Sequence, residues 1–88
     1  MLFDAAEYLD SPEMIATYLK VAFEENDAAL IRTALNDVAR AKGMTEVAAE
    51  SKITRQALYK ALGPNGNMTL ETLLGVLGAI GVKLSVSG

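Results

Sequence analysis

Apolar residues recur at three- and four-residue intervals in five stretches of the chain, the period of helices that each bury one face. Met14, Ile15, Tyr18, Leu19, Ala22 and Phe23 make the first stripe, on a helix expected to begin at Ser11-Pro12 and run to about Asn26. A serine oxygen there caps free amides, and a proline in the first turn lacks only an N–H that would have no helical partner. Asp27 is placed to cap a second helix with Ile31, Ala34, Leu35, Val38 and Ala39 inward, closing at Lys42-Gly43. A short third helix follows Thr45, with Val47 and Ala48 inward, and Thr54 caps a fourth that carries Ala57, Leu58, Ala61 and Leu62. The run Gly63-Pro64-Asn65-Gly66-Asn67 reads as a turn, because glycine and asparagine tolerate positive φ and proline stops a helix. Thr69 opens a fifth helix with Leu70, Leu73, Leu74, Leu77 and Ile80 facing in, and Gly81 ends it.

After Gly81 the period changes. Val82, Leu84 and Val86 alternate with Lys83 and Ser85, which predicts a half-buried strand over 82–86. A lone strand cannot satisfy its own backbone groups. Pairing with the same tail of a second copy satisfies them and makes a homodimer, with Val82, Leu84 and Val86 as contact residues. Residues 1–10, with Leu2, Phe3, Tyr8 and Leu9, are the other segment able to cover the helices or pair with the tail. The expected architecture is all-α, five helices and a short C-terminal β-strand, in one domain spanning 1–88.

Composition narrows the chemistry. The 88 residues contain no cysteine and no histidine, so thiol nucleophiles, disulfides, imidazole bases and the usual zinc ligands are excluded. The adjacent acids Glu24 and Glu25 point about 100° apart on a helix and do not converge as a carboxylate pair. Gly75, Gly78 and Gly81 are separated by Val76, Leu77, Ala79 and Ile80 in a helical pattern and precede no Lys-Ser/Thr, so they are not a phosphate loop; a small-residue stripe for close helix approach is their alternative use. No cofactor, metal or enzymatic activity is expected. The greasiest stretch, Leu73 to Val82, is ten residues, against roughly 20 for a membrane span, and no apolar leader is evident. A cytoplasmic location is the expectation.

Charge is unevenly distributed. Residues 1–27 hold seven acids against one base, a balance of −6, whereas residues 28–88 hold seven bases against four acids, +3. Between Lys52 and Lys60 lie three bases and no acid. An acidic front and a basic patch suit two partners of opposite charge; chance asymmetry on a solvated surface accounts for the charges equally well. The segment 44–62, MTEVAAESKITRQALYKAL, adds specificity. Ala48 is small where crossing helices approach, Ile53 plugs the corner, Thr54 caps the next helix, and Leu58 and Leu62 anchor it. Those are the packing needs of a helix-turn-helix. On the second helix Arg55, Gln56, Tyr59 and Lys60 share one side near the amino end, where glutamine can bridge adenine N6 and N7 and arginine can reach guanine or phosphate. Free amides behind Thr45 and Thr54 suit phosphate oxygens. Lys52, Asn65 and Asn67 flank the helix within reach of the backbone of a duplex.

The whole chain resembles the addiction-module antidote family, small antitoxins with a lambda-repressor-like (XRE-type) helix-turn-helix encoded beside a RelE/ParE-like toxin. The resemblance runs from FDAAEYL through IATYLKVAFEENDAALIRTALNDVARAKGM to ITRQALYKALGPNGNMTLETLLGVLGAIGVKLSV, and TRQALYKAL with the loop after it is the most specific part. It implies that Thr54, Arg55, Gln56, Tyr59 and Lys60 occupy recognition-helix positions. It also implies an operator on double-stranded DNA, autoregulation and a cognate toxin, which in this class is generally basic. The acidic front, with Glu7, Glu13, Glu24 and Glu25, is then the expected toxin surface. Lys52 departs from the glycine that many helix-turn-helix proteins carry in the turn, so a lysine there is expected in a backbone conformation that favours glycine. A phage-type repressor without a toxin, and a toxin-neutralising module without DNA binding, are the rival readings.

Overall fold

A computed structural model describes residues 4–87, so Leu2 and Phe3 lie outside the described residues. The described chain is all-helical: a 3₁₀ turn at Ala5–Tyr8, then α1 (Pro12–Glu24), α2 (Ala28–Lys42), α3 (Met44–Ser51), α4 (Arg55–Leu62) and α5 (Leu70–Ile80). Four of the five α-helix starts are fixed by side-chain caps. Ser11 accepts from the Met14 amide, Asp27 from Ala29 and Leu30, Thr54 from Ala57, and Thr69 from Thr72. Each bond satisfies an amide that the first helical turn leaves without a partner. Thr45 does not act this way: α3 already begins at Met44, behind Gly43 at φ 117°, with no side-chain cap.

α2 is the spine. The 3₁₀ turn, α1, α3, α4 and α5 all pack on it, and α3 and α5 form the most extensive helix pair. Leu35, Val38, Val47, Leu58 and Val76 are the largest fully buried side chains, so the core takes an anchor from each of the four C-terminal helices. Gly75 abuts α3, where an added Cβ would sit at an ordinary 3.6 Å from Ser51, and Gly78 faces open space. Neither glycine is therefore demanded by packing within the chain.

Three expectations are corrected. No strand forms among the described residues. The Val82 amide instead donates to the Leu77 carbonyl at 3.0 Å, closing the end of α5 around Gly81 at φ 97°, and the described residues offer Lys83–Val86 no neighbouring strand. Leu84 and Val86 are exposed. Met14 is exposed because α1 packs extensively on α2 alone among the helices, and one contact cannot cover so wide an apolar stripe. Leu70 and Leu74 are exposed as well. On α5 the buried side centres on Leu73, Val76 and Leu77, so Val76 takes the place assigned to Leu74, and Leu70 sits in the uncovered first turn.

Candidate nucleic-acid interface

α3 and α4 are joined by Lys52, Ile53 and Thr54. The Lys52 amide donates to the Ala49 carbonyl and the Ile53 amide to that of Ala48, a Schellman closure whose pivot must be left-handed. Lys52 is that pivot, at φ 61° and ψ 37°, so the expectation for this residue holds. The closure turns Ile53 onto the core, beside the buried Ala48. Thr54 then leaves the turn extended and caps α4 through its Oγ1, 3.0 Å from the Ala57 amide. Leu58 and Leu62 are buried beneath α4, which fixes the side it turns outward.

That outward side is polar. Arg55, Gln56, Tyr59 and Lys60 are exposed, as are Thr45, Lys52, Thr54, Asn65 and Asn67. All nine residues thus lie at the surface, and none of positions 51–70 is acidic. Arg55 lies along the helix toward Tyr59: its Nη2 donates to the Tyr59 hydroxyl at 3.1 Å, and the guanidinium sits 5.6 Å from the ring centroid. One turn of helix thereby pre-orients a cation. Thr54 takes only the Ala57 amide, so the Arg55 and Gln56 amides keep the partial positive charge of a helix start.

The loop after α4 is held from two directions. Arg32 on α2 donates from Nη2 to the Pro64 carbonyl at 3.2 Å, and its Nε is buried without a partner among the described residues. Gly66 presses against the end of α4 so closely that an added Cβ would fall 2.1 Å from the Ala61 carbonyl oxygen. Asn65 and Asn67 are therefore carried on a restrained loop. Arg32 was missed in the sequence because its contact spans 32 residues.

The acidic front is organised differently. Arg40 on α2 bonds both Asp4 oxygens at 3.0 Å and Asp37 at 2.7 Å, and the Tyr18 hydroxyl donates to Asp37 at 2.6 Å. Asp37 is the one buried charged residue among those described. Burial first, and then the bond to Asp37, push the Tyr18 hydroxyl up to about 12. The Arg40 guanidinium, helped by the Ala6 amide, holds the Asp4 carboxyl below its ordinary value. Sequence reading placed Tyr18 in an apolar stripe; the pairing of Asp37 and Arg40 three residues apart on one helix was the available signal for the clamp. Glu7, Glu13, Glu24 and Glu25 are all exposed and take no part in it.

No group of acidic residues among those described is arranged to hold a metal ion, and no described helix is long and apolar enough to cross a membrane. A family model described as "Probable addiction module antidote protein" matches residues 1–88. A Haemophilus influenzae protein, described as an uncharacterized protein, is 42% identical over 84 residues, covering 96% of this chain and 87% of its own length. No solved structure matches.

Proposed function

The chain belongs to the probable addiction module antidote family, and on that premise we propose that it couples neutralisation of a RelE/ParE-like toxin to repression of its own operon. In this reading α3 and α4 are a lambda-repressor-like helix-turn-helix, with α4 entering the major groove of double-stranded DNA. The observation that carries it is the exposed ridge of Arg55, Gln56, Tyr59 and Lys60 on a helix pinned from below by Leu58 and Leu62. Gln56 supplies a paired donor and acceptor for adenine, and the Arg55 guanidinium, held beside Tyr59, supplies donors for guanine or phosphate. Lys52, Lys60, Asn65, Asn67 and the helix-start amides at Thr45 and Thr54 address the phosphate backbone, which positions the protein without reading sequence.

Two copies joined through Val82, Leu84 and Val86 would set two such helices on half-sites about 34–36 Å apart. The exposure of Leu84 and Val86 and the unpaired course of the tail support this pairing. The acidic front is assigned to the toxin through Glu7, Glu13, Glu24 and Glu25. Reversing those four charges should lower toxin affinity, and unchanged affinity rejects the assignment. The whole reading is tested by co-purifying the protein with the product of the adjacent reading frame and running a DNA shift on the upstream region with and without it. Capture of that product and a shifted operator are expected. Capture without a shift leaves only a toxin-neutralising module, and a shift without capture leaves only a repressor.

A further inference from the structure

α1 has more apolar surface than its position in the fold uses. Leu19 and Ala22 are buried and Ile15 and Phe23 pack beside them, which accounts for its contact with α2. Met14 and Val21 nevertheless stand 47% and 56% exposed. They are two turns apart on one side of the helix, about 10 Å along its axis. Tyr18 lies between them, and its hydroxyl is committed to Asp37, so it is the ring that remains as lining. With Tyr8 and Leu9 these residues form an open groove of about 490 Å³ whose only charged lining residue is Glu13. No residue of α3, α4 or the loop after α4 contributes to it.

Charge selects the occupant. The chain between Asp4 and Asp27 carries seven acids and one base, Lys20, and Glu7, Asp10 and Glu13 are exposed next to the groove or in its wall. A second copy seated here would set two −6 segments against each other, and duplex DNA is itself a polyanion. The surface complements a partner that is apolar at its centre and cationic at its edge.

We propose that this groove is where the cognate toxin docks, through an amphipathic helix whose apolar residues at i, i+3, i+4 and i+7 seat on Tyr8, Met14, Tyr18 and Val21. Lysine or arginine side chains flanking that helix meet Glu7, Asp10 and Glu13. The inference rests on the antitoxin reading above and adds the apolar anchor that the acidic residues lack: a desolvated centre supplies affinity, whereas rim charges mainly set the association rate.

The test uses the full chain and the purified product of the adjacent reading frame as the probe, titrated calorimetrically. Met14→Lys and Val21→Lys should each weaken binding about tenfold, and the pair about a hundredfold, as expected for residues at the centre of an interface. Melting temperature and the DNA shift should stay at their wild-type values. Leu74→Lys, on an exposed apolar residue of α5 outside the groove, should leave affinity unchanged. If the lysine variants melt lower, Val21→Ser, which trims apolar surface without adding charge, should still weaken binding measurably. Wild-type affinity in the double variant overturns the proposal. So does a change in self-association, seen by sedimentation, in place of a change in toxin affinity. A wild-type chain that fails to bind the probe is a separate result: it removes the antitoxin reading of this pair, and the groove assignment falls with it.

Discussion

α1 and α4 are both amphipathic and both pack on α2, yet they turn opposite chemistries outward. α4 exposes Arg55, Gln56, Tyr59 and Lys60 in a stretch without acids, whereas α1 exposes Met14 and Val21 among acids. Polar donors on a narrow helix suit a groove whose walls are phosphates and whose floor is a pattern of donors and acceptors. An uncovered apolar strip suits a protein surface, since its gain comes from leaving water rather than from directed bonds. The helices also differ in how they are held. α4 sits on fully buried Leu58 and is followed by a loop fastened through Arg32 and Gly66, while α1 depends in part on the polar clamp from Tyr18 to Asp37 and Arg40. One small core thus presents two chemically opposite surfaces, one anchored by packing and the other partly by titratable groups.

The comparison breaks most severely at Leu58. Leu58→Ala should cost about 2–5 kcal/mol of stability, read as a fall in the denaturant midpoint, and should disable both surfaces together because the core is shared. A sharper separation comes from the clamp. Tyr18→Phe removes one donor to Asp37, which keeps Arg40, and should cost about 1 kcal/mol at neutral pH, with DNA binding intact. Its pH signature has a definite sign. The folded state keeps a proton that the unfolded chain releases near pH 10, so the Tyr18 contribution is complete below pH 10 and is lost as pH rises toward about 12. The difference between wild type and Tyr18→Phe in chemical denaturation should shrink across that window. Asp4 has the opposite sense: its depressed carboxyl contributes above its ordinary value of 3.8 and stops contributing on acidification.

The smallest effect separates stability from binding at one residue. Lys52→Gly relieves about 1–2 kcal/mol of left-handed strain and loses about 0.5–1 in chain entropy, a net gain of up to about 1.5 kcal/mol. Thermal melts should therefore rise while affinity for every duplex falls and its salt dependence flattens, since the proposed phosphate contact is lost. A glycine variant that binds DNA like wild type removes Lys52 from the interface.

What was legible in the sequence follows the range of the interactions. Ser11, Asp27, Thr54 and Thr69 were readable as caps because each bond closes within three residues. Gly81 was readable as a stop for the same reason. Arg55, Gln56, Tyr59 and Lys60 emerged together at the surface because Leu58 and Leu62 mark the buried side of their helix. The outward apolar groups on α1 and α5 were not readable, because which edge of a wide stripe is covered depends on a helix elsewhere in the chain. The tail alternates like a strand, but alternation describes only which residues share a face and supplies no neighbour to pair with. Arg32 with Pro64, and Tyr18 with Asp37, join residues 32 and 19 positions apart, beyond the reach of any local pattern.

The proposed reading of duplex DNA by the exposed ridge of α4 is open to a decisive comparison. The most direct test measures the affinity of wild type and Gln56→Ala, at one salt concentration, for the duplex upstream of the operon and for a scrambled duplex of equal length. Wild type should prefer the upstream duplex by about 10³ or more. Gln56→Ala should lose about 1–3 kcal/mol of that preference, with its binding to the scrambled duplex unchanged. Equal wild-type affinity for the two duplexes, or equal losses on both in Gln56→Ala, would contradict the claim.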